Sequence, residues 1–253
     1  MNALKLHKSN PEVHLNGLNL VSALCNQEKK CQLVFRLEGG LKRIIEIVKN
    51  EKLLPRGDVI LAALNLLGVV LKKNVNNRLR MCTKNNAAIR ALVGVGRHYN
   101  KLKRSEGDED HYDVILSLCN ILERISSTSQ GAQQLSEGGG IRWSMKMLQK
   151  YVGRTPPKIL NALLKMMRNM LQYSAKTASS SFTACGGFEV VWNAVSASAA
   201  PKEEDRQRHQ TLGAAEDDGG NHREHQDRGQ KDRERPSPQG PTGGDRALTL
   251  KLA

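Results

Sequence analysis

One apolar pattern recurs in four segments of this chain, and that recurrence constrains the fold more than any other feature. From a first residue that is β-branched, offsets of 0, +4, +7, +8 and +11 give Val13, Gly17, Leu20, Val21 and Leu24. The same offsets give Val59, Ala63, Leu66, Leu67 and Val70, then Val114, Leu118, Ile121, Leu122 and Ile125, then Ile159, Leu163, Met166, Met167 and Met170. This spacing is the stripe of an α-helix that buries one side. Four such helices at a near-constant interval predict a chain built from repeated helical units.

A second landmark keeps the same interval. Gly39-Gly40, Gly139-Gly140 and Gly186-Gly187 each precede a shorter apolar segment, and Asn85-Asn86 stands at this place in the second unit. Asn is the residue after Gly that best tolerates a positive φ, so the four sites predict one left-handed turn. The turn sites lie 46, 54 and 47 residues apart and the stripes 46, 55 and 45 apart. Both series carry one excess of about eight residues, which assigns a loop insertion to Lys101–Asp110.

Offsets +2 and +5 add Leu15, Leu18, Leu61, Leu64, Leu116, Cys119 and Leu164 on a second side of these helices. A helix apolar on two sides needs neighbours on both, as in a stack of like units. With its short helix, Gly-Gly turn, second helix and long third helix opening on Glu12-Val13 or Asp58-Val59, the chain resembles the armadillo family over residues 10–198. Related helical repeats of the HEAT type share the stripe but less often the opening seen at Gly139-Gly140-Ile141. It implies an all-α fold, a right-handed superhelical solenoid of three-helix repeats in residues 1–199. The expected phasing is a partial repeat at 10–26, repeats at 28–73, 78–127 and 130–173, and a partial repeat at 177–197. Stacked repeats need polar-faced caps, and neither end supplies one; the expectation is a chain that belongs to a longer array or whose end a partner covers. Residues 200–253 mix charge, Gly, Pro and Gln with almost no large apolar side chain until Leu248, and are expected to be a disordered tail.

In armadillo folds the third helices line an inner groove, so the resemblance places the residues at +3, +6, +10 and +13 along it. The expected partner-binding residues are Asn19, Asn65 and Asn120, with Lys72, Arg124, Lys165 and Asn169. An amide both donates and accepts, which suits it to the backbone of an extended or helical segment of another protein. The bland alternative is an Asn that bonds only to solvent or to a nearby carbonyl. The nuclear-import branch of the family carries Trp at +6 and Asn at +10; here those pairs are Asn19/Ala23, Asn65/Val69, Asn120/Arg124 and Lys165/Asn169. Binding of nuclear-localisation signals is therefore disfavoured, and an acidic segment is the expected partner.

Charge points to a second reading. Residues 1–105 hold 20 Lys/Arg against 6 Asp/Glu, residues 106–200 hold 9 against 8, and residues 201–253 hold 10 against 11. A basic first half attracts nucleic acid or anionic lipid, yet Phe35 and Tyr99 are its only aromatics, so base stacking is unsupported. A third reading, the armadillo portion of a larger chaperone-like or assembly factor, is motivated only by a stack that opens on a third helix.

Enzyme signatures are missing. Gly94-Val95-Gly96 lacks a third Gly and a preceding strand, Gly138–Gly140 lacks the Lys-Ser/Thr of a P-loop, and neither H-E-x-x-H nor G-x-S-x-G occurs. No catalytic residue, metal or cofactor is expected. Cys25, Cys31, Cys82 and Cys119 read as small core residues, Trp143 and Trp192 as packing residues, and His222 and His225 as exposed in the tail. Five scattered cysteines without a C-x-x-C spacing predict a reducing compartment, the cytoplasm with the nucleus as alternative. The longest apolar run, Val59–Leu71, is 13 residues and is interrupted by Asn65, too short to span a bilayer.

Overall fold

The computed structural model describes residues 4, 6–82, 86–102, 109–150 and 156–199. The expected tail at 200–253, with His222 and His225, lies outside the described residues, as do Asn85 and most of the expected insertion. Among the described residues there are twelve helices and no strand. They are α1 (Pro11–Gln27), α2 (Lys29–Leu37), α3 (Gly40–Val48), α4 (Gly57–Leu71), α5 (Val75–Met81) and α6 (Ala87–Lys101). Then follow α7 (Glu109–Ser126), α8 (Ser129–Glu137), α9 (Gly140–Lys150), α10 (Pro157–Tyr173), α11 (Ala175–Ala184) and α12 (Gly187–Ala199).

Local chemistry accounts for their ends. Asn10 caps α1 through its side-chain oxygen, which accepts from the amides of Glu12 and Val13, and Pro11 occupies the first turn, where its missing N–H costs nothing. Asp58 lies in the first turn of α4, where a carboxylate complements the helix dipole, and it is held well ionised by the Arg56 guanidinium 2.8 Å away. Gly39, Asn86, Gly139 and Gly186 all have positive φ, at 75°, 51°, 84° and 63°. The Asn that replaces Gly in the second unit therefore adopts the turn its neighbours adopt.

The second glycine of each pair has a different duty. A Cβ on Gly40 would stand 2.4 Å from the Phe35 ring, on Gly140 2.7 Å from Leu135, and on Gly187 2.5 Å from Phe182. In each case the side chain in the way is five residues upstream and buried. In the second unit Ala87 replaces this glycine, and the residue five upstream is Cys82, a much smaller side chain. Glycine is needed where a large side chain folds beneath the turn, and alanine is accepted where a small one does.

The long helices meet in sequence: α1 packs on α4, α4 on α7 and α7 on α10. A second row runs α3, α6, α9, α12, each touching the next, and each of α3, α6 and α9 also packs on the long helix that follows it. The stripe residues of α4, α7 and α10 are buried without exception. Those of α1 are not: Leu20 is 64% exposed and Leu24 is also exposed, because α4 covers only the side of α1 that carries Leu18 and Cys25. The other end behaves alike. Phe188 and Trp192 are exposed on α12, so Trp192 does not pack as expected, whereas Trp143 is buried against Gly96.

Two stability measurements follow. Leu66→Ala and Ile121→Ala, at positions 1% exposed, should each cost about 2–5 kcal/mol in urea unfolding, while Leu20→Ala, the register-equivalent of Leu66, should cost less than about 0.5 kcal/mol. Gly40→Ala should cost about 1–3 kcal/mol through overpacking against Phe35; equal stability of this variant and the parent would show that the ring moves aside freely.

Candidate functional site

Helices α4 and α7 line a shallow depression of about 310 Å³, to which Asn26 from the end of α1 also contributes. Its floor is apolar, from Leu64, Val69 and Ile121, and its polar lining is Asn26, Asn65, Lys72, Ser117, Asn120 and Arg124. Asn65 and Asn120 occupy the same +6 register on adjacent helices, and Lys72 follows the last residue of α4. Four of the seven expected binding residues thus share one concavity.

Within it the polar groups are unequally engaged. The Ser117 hydroxyl donates to Asn65 Oδ1 at 3.1 Å, and the amide nitrogen of the exposed Asn65 has no partner among the described residues. Asn120 and Lys72 are exposed. Arg124 is half-buried and donates from Nη1 to the Gly68 carbonyl at 2.6 Å. That carbonyl also accepts from the Lys72 amide at 3.1 Å, and it belongs to the last turn of α4, where the helix dipole is negative and a cation is favoured. Asn77, buried in α5, serves the same end by donating to the Val70 carbonyl at 2.7 Å. Arg124 thereby fastens α7 to α4 while its charge stays at the edge of the depression. No carboxylate lines the depression, and Lys72 and Arg124 are the charged side chains in its lining.

The other three expected residues lie elsewhere. Asn19 on α1 and Lys165 on α10 are exposed but outside this lining. Asn169 is buried, and its amide donates to Ser126 Oγ at 3.1 Å, tying α10 to α7. Its +10 position faces the neighbouring helix instead of solvent, and the buried Ser126 hydroxyl, itself donating to the Glu123 carbonyl, supplies the partner.

Among the described residues no three His, Cys, Asp or Glu side chains are grouped to hold a metal ion, and no helix is long and apolar enough to cross a membrane. Burial pushes the Cys119 thiol up to about 12 and the Cys82 thiol up to about 11, so both are protonated at neutral pH. Cys25 is buried as well and Cys31 half-buried; all five thiols are unpaired. Comparison with known protein families, characterised proteins and solved structures gives no match.

A second concavity, of about 620 Å³, lies where Lys8 and His14 meet Arg43, Glu46 and Asn50 of the α3 end, and nothing in the helical pattern marks it. His14 is buried with Nε2 3.3 Å from the Lys8 carbonyl and Nδ1 unpartnered. Burial is the main reason its pKa falls below the ordinary 6.5. The folded chain then binds fewer protons than the unfolded one, so stability contributed by neutral His14 is present above about pH 6.5 and lost as pH falls through the folded value. Unfolding titrations should show His14→Gln losing less stability than the parent between about pH 7 and pH 5; parallel losses would assign the acid sensitivity elsewhere.

Proposed function

We propose that this chain is a non-catalytic adaptor of the armadillo type, in which the long helices α1, α4, α7 and α10 form the inner wall of a solenoid and hold a segment of another protein. The observation that supports this reading is the meeting of Asn65, Asn120, Lys72 and Arg124 around one open depression without a carboxylate. The amides of the exposed Asn65 and Asn120 offer donors and acceptors to a peptide backbone crossing α4 and α7. Lys72 and Arg124 favour acidic side chains on that segment, and the apolar floor takes one uncharged side chain between them. Asn19 and Lys165, at the same +6 register on the flanking helices, extend the line of contact; Asn169 is left out of it because its amide is engaged by Ser126. Unpaired thiols fit a cytoplasmic setting.

The test replaces Asn65, Asn120 and Lys72 together with Ala. All three are exposed, so the melting curve should be unchanged, while proteins retained by the parent from a cell extract should be lost. Retention of the same proteins by a folded variant would remove the depression from the function.

A further inference from the structure

The packing sorts charge in a way the linear order hides. Helices α3, α6 and α9, with Lys49 directly after α3, carry nine Lys/Arg and a single carboxylate, Glu46. Glu46 is itself paired with Arg43 at 2.7 Å. The four long helices carry four Lys/Arg and six Asp/Glu. The short helices α2, α5, α8 and α11 carry six Lys/Arg and one carboxylate, Glu137, so the positive surplus is shared between two rows and is largest on α3, α6 and α9, where it continues past the basic first half into Arg142 and Lys146.

The exposed positions are Lys42, Glu46 and Lys49 on α3 and its end, Ala87, Arg90, Arg97 and Lys101 on α6, and Arg142, Lys146, Gln149 and Lys150 on α9, spacings that keep mainly to one side of each helix. Lys42 and Lys49 mark that side on α3, Arg97 and Lys101 on α6, and Arg142 and Lys146 on α9; all six are exposed. None of the six forms an ion pair among the described residues. The three helices touch in order, and Arg97 reaches across to the Gly139 turn that opens α9, where its Nη2 would lie 3.2 Å from an added Cβ. Helix axes about 8–10 Å apart set the span across the three stripes at roughly 20 Å. It shares no residue with the lining of the depression.

We infer that this side of α3, α6 and α9 is a sequence-independent docking surface for the phosphate backbone of double-stranded nucleic acid. What the surface lacks selects the ligand. Every large apolar side chain of the three helices is buried, Tyr99 and Trp143 included; the exposed Phe188 and Trp192 belong to the neighbouring α12, which carries no Lys or Arg. A protein partner would want an apolar anchor at the centre of the contact, and a single strand would want exposed aromatics on which to stack its bases. Peripheral attachment to a bilayer generally joins charge to an inserted apolar group. Contact with duplex phosphates needs neither, only spaced cations, and about a dozen duplex charges fall within a 20 Å span.

The test measures binding of a labelled random-sequence duplex across a salt series, for the parent and for a variant carrying Lys42→Glu, Arg97→Glu, Arg142→Glu and Lys146→Glu. The Asn65/Asn120/Lys72 alanine variant serves as a second reference, and melting curves establish that all three are folded. The parent should bind with affinity that falls steeply with salt, and the charge-reversed variant should lose at least about tenfold, its log–log salt slope shallower by roughly 0.9 for each phosphate contact removed. The alanine variant should bind as the parent does, so loss of the depression's function and loss of this surface are read separately. The inference is overturned if the parent does not hold the duplex at low salt or if charge reversal changes nothing. It is equally overturned if phosphatidylserine vesicles or polyglutamate are retained through these residues while the duplex is not.

Discussion

Burial of the two-sided long helices against one another is the interaction on which the rest of this structure depends. Helices α4, α7 and α10 each place a full apolar stripe, such as Val59, Ala63, Leu66, Leu67 and Val70, where no water reaches it. Area removed from water is the main favourable term in folding, and here it also sets position. Once α4 and α7 are pressed together along these stripes, the side chains at the +6 register must emerge side by side. Asn65 and Asn120 are neighbours because Leu66 and Ile121 are buried.

The polar groups that tie these helices are arranged around their ends, where backbone carbonyls run short of intrahelical donors. Arg124 joins the Lys72 amide on the Gly68 carbonyl and Asn77 takes the Val70 carbonyl, so side chains from α7 and α5 hold the last turn of α4. Asn169 does the corresponding work between α10 and α7 through Ser126. A side chain used this way is unavailable to a ligand, which explains why Asn169, in a register suited to recognition, is a structural residue. Arg124 stands between the two cases: its guanidinium is anchored and its charge remains at the surface.

Much of the helical layout was legible in the sequence because each helix announces itself twice, by its stripe and by the turn before its neighbour. Asn86 at positive φ bears out the reading of Asn as a substitute for Gly. Register, with the armadillo resemblance, lined up seven residues, of which Asn65, Asn120, Lys72 and Arg124 share one depression while Asn19, Lys165 and Asn169 lie outside it. Other features needed coordinates for identifiable reasons. Periodicity says which side of a helix is apolar and not whether anything covers it, so Leu20 and Trp192 looked like core residues and are exposed. The second-glycine rule depends on a residue five positions back, and only the close approach of Phe35, Leu135 and Phe182 shows why Ala87 accompanies Cys82. Charge counted in blocks of sequence mixes helices that point different ways, which hid the row where it is largest.

Uneven charge among the rows has a consequence for motion as well as for contact. Lys and Arg are shared among α3, α6, α9 and the short helices α2, α5, α8 and α11, while six of the nine carboxylates within the described helices lie on the long helices, so the long row is the least positive of the three. An uneven charge distribution of this kind exerts a torque on a molecule drifting toward a large anion before any specific contact is made, and favours approach by the more positive rows. Added electrolyte shortens the reach of the field to about 8 Å at physiological ionic strength, so the aligning effect acts in the last molecular diameter of the approach.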